Sequence, residues 1–181
     1  MERNVTLIAL FAALIAALGL IPPIALGFGV PITAQSLGVM LCGTVLGARR
    51  GALAVLLFLL LVAIGLPLLA GGRGGFGVFA GPTAGFLVGF PIGAFVIGLI
   101  VEKMRAGNLA VVAGLAAMIG GIVVVYAFGI AGFVFVTGKG VAASAAIMAP
   151  FVPGDIVKAV IAGLLTQALF RARPASVLSR S

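Results

Sequence analysis

Residues 81–101 read GPTAGFLVGFPIGAFVIGLIV, twenty-one positions in succession without one ionisable side chain. About twenty apolar residues at 1.5 Å of rise each give a helix about 30 Å long, the thickness of a bilayer's hydrocarbon core. Glycines stand at 81, 85, 89 and 93, so every fourth residue leaves one flank of this helix smooth. Lipid provides no solvent drive for helices to associate, and such flanks let backbones approach and gain van der Waals contact instead. We read the flank as a packing seam inside the molecule, and Pro91 predicts a bend in the same helix.

The rest of the 181-residue chain has the same character. It is 64% hydrophobic and 8% charged, with a mean hydropathy of +1.42, whereas soluble domains run near 45–50% and 25%. So small a fold has too little interior to hide that much apolar surface from water, and the surrounding solvent is lipid. The length ruler finds six spans, near 5–27, 34–48, 52–70, 81–101, 109–134 and 150–170. The fold class expected is all-α, an integral membrane bundle of six transmembrane helices forming one domain over 1–181. The second span is short for a bilayer and is expected to tilt little or to begin within a protein-lined cavity.

Positive charge orients the bundle. Arg3, Arg49, Arg50, Lys103, Arg105, Arg171, Arg173 and Arg180 fall on one side, Arg73 and Lys139 on the other, and Lys158 within a span. This bias places both termini in the cytoplasm. It also accounts for the net charge of +8 without nucleic acid. The opposite connections, 28–33, 71–80 and 135–149, contain glycine, proline and aromatics or are mixed, and are expected to fold down as lids over the outer mouth.

Ionisable groups within the bilayer cost about 2.5–3.5 kcal/mol on insertion scales, so each demands a reason. Asp155 and Lys158 are such a pair, one turn apart on one helix face. They either neutralise one another, with Asp155 capping the helix after Pro153-Gly154, or form a binding site; the second is the reading preferred here. Asp155 then accepts substrate N–H groups, and Lys158 supplies a positive charge. Thr33, Gln35, Arg73 and Thr83 lie towards the same mouth, and Phe76, Phe79 and Phe86 are candidates to wall an apolar pocket.

Other chemistry is poorly equipped. With no histidine, one cysteine (Cys42) and three carboxylates (Glu2, Glu102, Asp155), no metal site, cofactor or catalytic centre is expected. A polytopic membrane enzyme would display more carboxylates or a His–Asp pair. A channel would need a polar stripe through most spans, and the third and fifth are nearly bare apart from Tyr126. Thr137-Gly138-Lys139-Gly140 lacks the spacing of a phosphate loop, so if a solute moves uphill through this chain the energy must come from a partner or an ion gradient, and a single carboxylate in the spans is thin equipment for the second. Ala9, Ala13 and Ala17, with Ala12 and Ala16 beside them, give the first helix small-residue flanks. Periodicity leaves open whether these meet the chain's own helices or an external one.

Three motifs carry a resemblance over essentially the whole chain. Val30-Pro31-Ile32-Thr33-Ala34-Gln35, Gly81-Pro82-Thr83-Ala84-Gly85-Phe86-Leu87 and Pro150-Phe151-Val152-Pro153-Gly154-Asp155-Ile156-Val157-Lys158 resemble the BioY family, the biotin-binding S components of energy-coupling factor transporters. Ala84-Gly85-Phe86 departs from the Gly-Gly-Tyr of many relatives, losing a hydroxyl. The resemblance implies a six-helix protein of the bacterial inner membrane, not an enzyme, that captures biotin at the extracytoplasmic face. It implies that Asp155 takes the ureido N–H groups, Gln35 or Thr83 the ureido carbonyl, and Lys158 or Arg73 the carboxylate. It further implies partners, a transmembrane coupling protein and cytoplasmic ATPases, with Ala9, Ala13 and Ala17 as the docking face for the former. A sibling S component for another small vitamin is the alternative.

Overall fold

A computed structural model describes residues 2–25 and 30–180. Its helices are α1 (Glu2–Leu18), α2 (Gln35–Leu46), α3 (Ala48–Ala63), α4 (Ala84–Lys103), α5 (Leu109–Thr137) and α6 (Val141–Ala172). Three of them, α4, α5 and α6, are long and apolar enough to cross a membrane, at 20, 29 and 32 residues. In α5 the stretch Ile119–Val124 takes the wider π winding, and in α6 a 3-10 turn at Ala149–Phe151 interrupts the α pattern.

Several boundaries differ from the sequence reading. α1 stops at Leu18 instead of reaching 27. Pro22 and Pro23 lack the N–H that a continuing helix needs, and the chain turns into a short strand. Ile24–Ala25 pairs antiparallel with Pro31–Ile32, an element the all-α reading omits. Residues 26–29, which hold the start of the expected 28–33 lid and the end of the expected first span, lie outside the described residues. α3 ends at Ala63, seven residues early, because Gly65 takes a φ of 112° and Pro67 follows. The expected 135–149 loop is mostly helix. α5 runs to Thr137, Gly138 closes it in the left-handed conformation at φ 69°, and α6 starts at Val141. The alanine-rich Val141–Met148 is good helix former, and Pro150 and Pro153 sit in the 3-10 turn and the helical turn that follows it.

The α4 glycines form an internal seam. A Cβ on Gly85 would lie 2.2 Å from the Phe128 carbonyl oxygen, and one on Gly93 would lie 2.7 Å from that of Gly120, both in α5. Gly98 approaches the α2–α3 turn equally closely, at 2.2 Å from the Ala48 nitrogen. Gly81 lies outside the helix, where a Cβ would only come into ordinary contact with the Val78 carbonyl at 3.9 Å. The flanks of α1 separate as well: Ala12 and Ile15 are buried, while Ala9, Ala13 and Ala17 face outward. The core between these helices centres on Ile15, Met40, Leu46, Phe58 and Ile97.

The end of α1 meets the start of α2, where Gly38 touches Ile15 and Leu18. At the other end Glu102 of α4 accepts from the Ala48 N–H at 2.9 Å. The bundle thus has a loop end, holding the hairpin and residues 64–83, and a basic end, holding the α2–α3 turn and the α4–α5 connection.

Candidate ligand site at the loop end

α2 begins at Gln35, and its first turn forms the floor of a cavity of about 660 Å³, counting the space at its open mouth. Of the residues singled out from sequence, Thr33, Gln35, Arg73, Thr83, Phe86, Asp155 and Lys158 all line it. Phe79 does not. It lies on the 3-10 turn Phe76–Ala80, partly buried against the main core and tilted against Phe76 at 6.4 Å. Phe76 itself is 78% exposed. With about three residues to each 3-10 turn, the two aromatics fall on one side of it, and neither lines the cavity.

Asp155 and Lys158 form an ion pair at 2.9 Å, with side chains 10% and 16% exposed. Asp155 does not cap a helix, because α6 has already run from Val141. Its two oxygens are held separately. Oδ1 accepts from Lys158 and from Ser36 Oγ at 3.1 Å, and Oδ2 accepts from the Tyr126 hydroxyl at 2.6 Å. Lys158 donates also to the Thr33 carbonyl at 2.7 Å and to Ser36 Oγ at 3.0 Å. An ammonium has three N–H donors, and here all three have acceptors. The pair is therefore tied to α2 and α5 at once, which offsets the desolvation that a buried charge pair must overcome.

Tyr126 and Ser36 complete this cluster, and neither is among the candidate residues picked from sequence. Tyr126 is the chain's one tyrosine, and a buried phenol needs a hydrogen-bond partner. That signal was available. Its direction was not, because the π winding just before it changes the angular step along α5. Phe86 stacks edge-on against Tyr126 at 5.8 Å, in space left by Gly129, where a Cβ would lie 2.4 Å from the Phe86 ring.

Gln35 lines the cavity but spends its amide on the backbone. Its Nε2 donates to the carbonyls of Ile15 (3.1 Å) and Leu68 (3.0 Å), and its Oε1 accepts from the Ala70 N–H at 2.9 Å. It fastens the end of α1 and the loop after α3 to α2. Arg73 hangs from a tight turn in which Leu69 and Arg73 pair and Gly71 and Gly72 take φ of 80° and 69°. Its Nε donates to the Ala70 carbonyl at 3.3 Å, and its terminal nitrogens have no partner among the described residues. Thr83 stands at the N-terminus of α4 without a side-chain capping bond.

The cavity thus has a carboxylate fixed by three donors, and it has an arginine whose terminal N–H groups and a threonine, Thr83, whose hydroxyl have no partner among the described residues. Aliphatic and aromatic walls from Val30, Leu87, Phe90 and Phe151 separate them. The description "BioY family" fits residues 2–175 as a family match. The chain belongs to the BioY family.

Among curated relatives, "Biotin transporter BioY" of Rhodobacter capsulatus is 60% identical, covering 99% of this chain and 100% of that protein. "Biotin transporter BioY" of Rhizobium etli is 58% identical, covering 95% of each. A crystal structure described as the S-component for biotin from an ECF-type ABC transporter matches with a TM-score of 0.89 at 31% identity. That match covers 94% of this chain and 92% of the other. The BioY chain described here is a multi-pass membrane protein and not an enzyme.

Proposed function

We propose that this protein is the biotin-binding subunit of an energy-coupled uptake system. Biotin's ureido ring presents two N–H donors and one carbonyl, and its valerate chain ends in a carboxylate. Asp155 accepts the ureido N–H groups. An ionised carboxylate offers about four acceptor sites, two on each oxygen; Lys158 and Ser36 fill those of Oδ1, and Oδ2 keeps one lone pair beside its bond from Tyr126 for the ligand. Thr83 donates to the ureido carbonyl. Arg73 meets the valerate carboxylate, because its terminal nitrogens have no partner among the described residues while the three N–H groups of Lys158 are committed to Thr33, Ser36 and Asp155. Lys158 then acts as the counter-ion of Asp155 in the cavity wall. Gln35 positions the loop and is not itself a contact for the ureido group.

The basic end faces the cytoplasm in this reading, and the cavity opens to the outside. No phosphate loop exists in the chain, so the energy comes from a transmembrane coupling protein and cytoplasmic ATPases. Ala9, Ala13 and Ala17, turned outward on α1, offer the smooth surface that close helix docking in lipid requires.

The observation that carries the biotin reading is the Asp155 carboxylate held by Tyr126, Ser36 and Lys158 in the cavity wall. Its test is a melting experiment on detergent-purified protein with a panel of vitamins. A ligand at a hundred times its Kd stabilises by about 2.7 kcal/mol. Biotin is expected to raise the melting temperature and the others to leave it unchanged. A shift with a different vitamin and none with biotin would assign the chain to a sibling specificity.

A further inference from the structure

α5 and α6 meet along a seam that begins near the basic end. A Cβ on Gly163 would collide with the Ala110 carbonyl and the backbone of Gly114, so the two helices need that glycine to close on one another. Gly114 is different. A Cβ there would only come into ordinary contact with the Ala159 carbonyl, at 3.6 Å. The seam admits a side chain at 114, yet the position has none and lines an open groove. That groove has a volume of about 530 Å³, counting the space at its open side. It is lined on α5 by residues between Ala110 and Met118 and on α6 by Val160 and Leu164, all of them apolar. Val111, Leu115, Val160 and Leu164 are exposed, so the groove opens from the bundle towards lipid.

Its length and its charge select an occupant. From Ala110 to Met118 the helix axis rises about 12 Å, and half of a hydrocarbon core is about 15 Å. The groove starts at the second residue of α5 and ends where the π winding Ile119–Val124 begins. It therefore has the depth of one acyl chain in a single leaflet, whereas a partner helix would cross both. Beyond the groove α6 runs on to Ala172, and Arg171 on its last turn is exposed. At 100° per residue, Val160, Leu164 and Arg171 fall within about 40° of one another around the helix. The arginine thus stands on the groove's own face, about 10 Å further along the axis than Leu164. Helical side chains lean towards the N-terminus of their helix, which for Arg171 is back towards the groove. An apolar slot with a cation at its foot, at the end of the bundle that meets the membrane surface, complements a phospholipid whose headgroup is negative.

We propose that the α5–α6 groove is a site for an anionic phospholipid of the leaflet at the basic end. One acyl chain lies along Gly114 between the two helices, and the headgroup meets Arg171. The chain fills the space that the glycine leaves and completes the outer side of the seam.

The test uses the full chain purified in detergent, with retained lipid read by native mass spectrometry and folding by circular-dichroism melting. The probes are dioleoylphosphatidylglycerol, dioleoylphosphatidylcholine with the same chains and no net charge, and dihexanoylphosphatidylglycerol with the same headgroup and chains too short for the groove. Dioleoylphosphatidylglycerol is expected to be retained about fivefold over the choline lipid, the ratio one arginine sets beside an anionic headgroup, and the short-chain lipid is expected to be lost. Arg171→Gln is expected to erase the headgroup preference and Arg171→Lys to keep it. Gly114→Leu, whose side chain would fill the groove, is expected to lose both dioleoyl lipids. Gly114→Ala is expected to weaken their retention in a protein at least as stable, since alanine is the better helix former. Equal retention of the two dioleoyl lipids by the wild type overturns the proposal. So does a preference unchanged in Arg171→Gln, or retention unchanged in the Gly114 variants. A lipid-free dimer that Gly114→Leu dissociates overturns it too, and gives the groove to a second copy of the chain.

Discussion

Replacing Asp155 by Asn separates what the carboxylate does for the fold from what it does for the ligand. At 2.9 Å from Lys158, with an effective dielectric constant of 20, the gross attraction is about 6 kcal/mol. Lys158 keeps the Thr33 carbonyl and Ser36 Oγ after the change, so the loss is nearer the about 3–5 kcal/mol of a broken buried pair, at its low end. The asparagine places its one oxygen towards Lys158 and Ser36. Its NH₂ then occupies the position of Oδ2, beside Tyr126, where the ligand's N–H groups arrive. Two donors meet there, and a charge-assisted bond of about 1.5–3 kcal/mol disappears, a factor of roughly 10 to 150 in Kd. Calorimetry with biotin and melting of the unliganded protein read the two effects separately. Adding Lys158→Met removes the orphaned ammonium, and it is expected to return most of the stability while binding stays weak. Wild-type affinity in the single variant would refute the assignment of Asp155 as acceptor. Recovered affinity in the double variant would mean the carboxylate serves only to neutralise Lys158.

Other changes probe the remaining parts. Tyr126→Phe removes the 2.6 Å bond to Oδ2 and keeps the ring on Phe86, so radiolabelled biotin retention is expected to fall by about 1–2 kcal/mol in affinity with little change in melting. Arg73→Gln is expected to erase a preference of about tenfold for biotin over its methyl ester, measured by competition. Gln35→Ala leaves Ile15, Leu68 and Ala70 without their partner and is expected to cost about 3 kcal/mol, seen as a lower melting temperature with the acid-over-ester preference intact. Gly85→Ala drives a Cβ to 2.2 Å from the Phe128 carbonyl, and forcing α4 from α5 is expected to cost about 1–3 kcal/mol in unliganded melting.

Much of this architecture is readable before any coordinate, for physical reasons that differ by element. An uncharged run such as 81–101 has one stable solvent, and its glycine spacing has one use when no apolar drive brings helices together. The Asp155–Lys158 pair stands out because lipid makes charges expensive. What stays hidden is direction and extent. Proline-rich Pro150–Gly154 reads as a helix start, since proline fits a first turn, yet α6 has already wound for several residues. The π stretch Ile119–Val124 leaves no mark in hydropathy, so the face that Tyr126 presents is not legible. Gln35 is visible as a polar residue at the mouth, but a glutamine serving a ligand and one serving three backbone groups have the same sequence. Phe79 was one of many phenylalanines, and a 3-10 turn decided where it points.

The position of the cavity follows from a mismatch of helix lengths. α2 has 12 residues, about 18 Å of rise against a hydrocarbon core of about 30 Å. Its far end is fixed, because Gly47 and Ala48 are pressed against Gly98 and Glu102 at the basic end. The shortfall therefore accumulates at the loop end, where α2 begins at Gln35 while its neighbours α5 and α6 continue past it. Backbone at that depth is tolerable only if it is buried in protein or lines a cavity. Residues 30–34 and 66–73 meet that condition by folding over the start of α2, the second stretch fastened there by the Gln35 bonds to Leu68 and Ala70. The same depth makes Asp155 tolerable, since the Thr33 carbonyl, which precedes α2, and the Ser36 hydroxyl on its first turn are the acceptors that hold Lys158 beside it. Lengthening α2 by one turn would fill the cavity and strand the charge pair together.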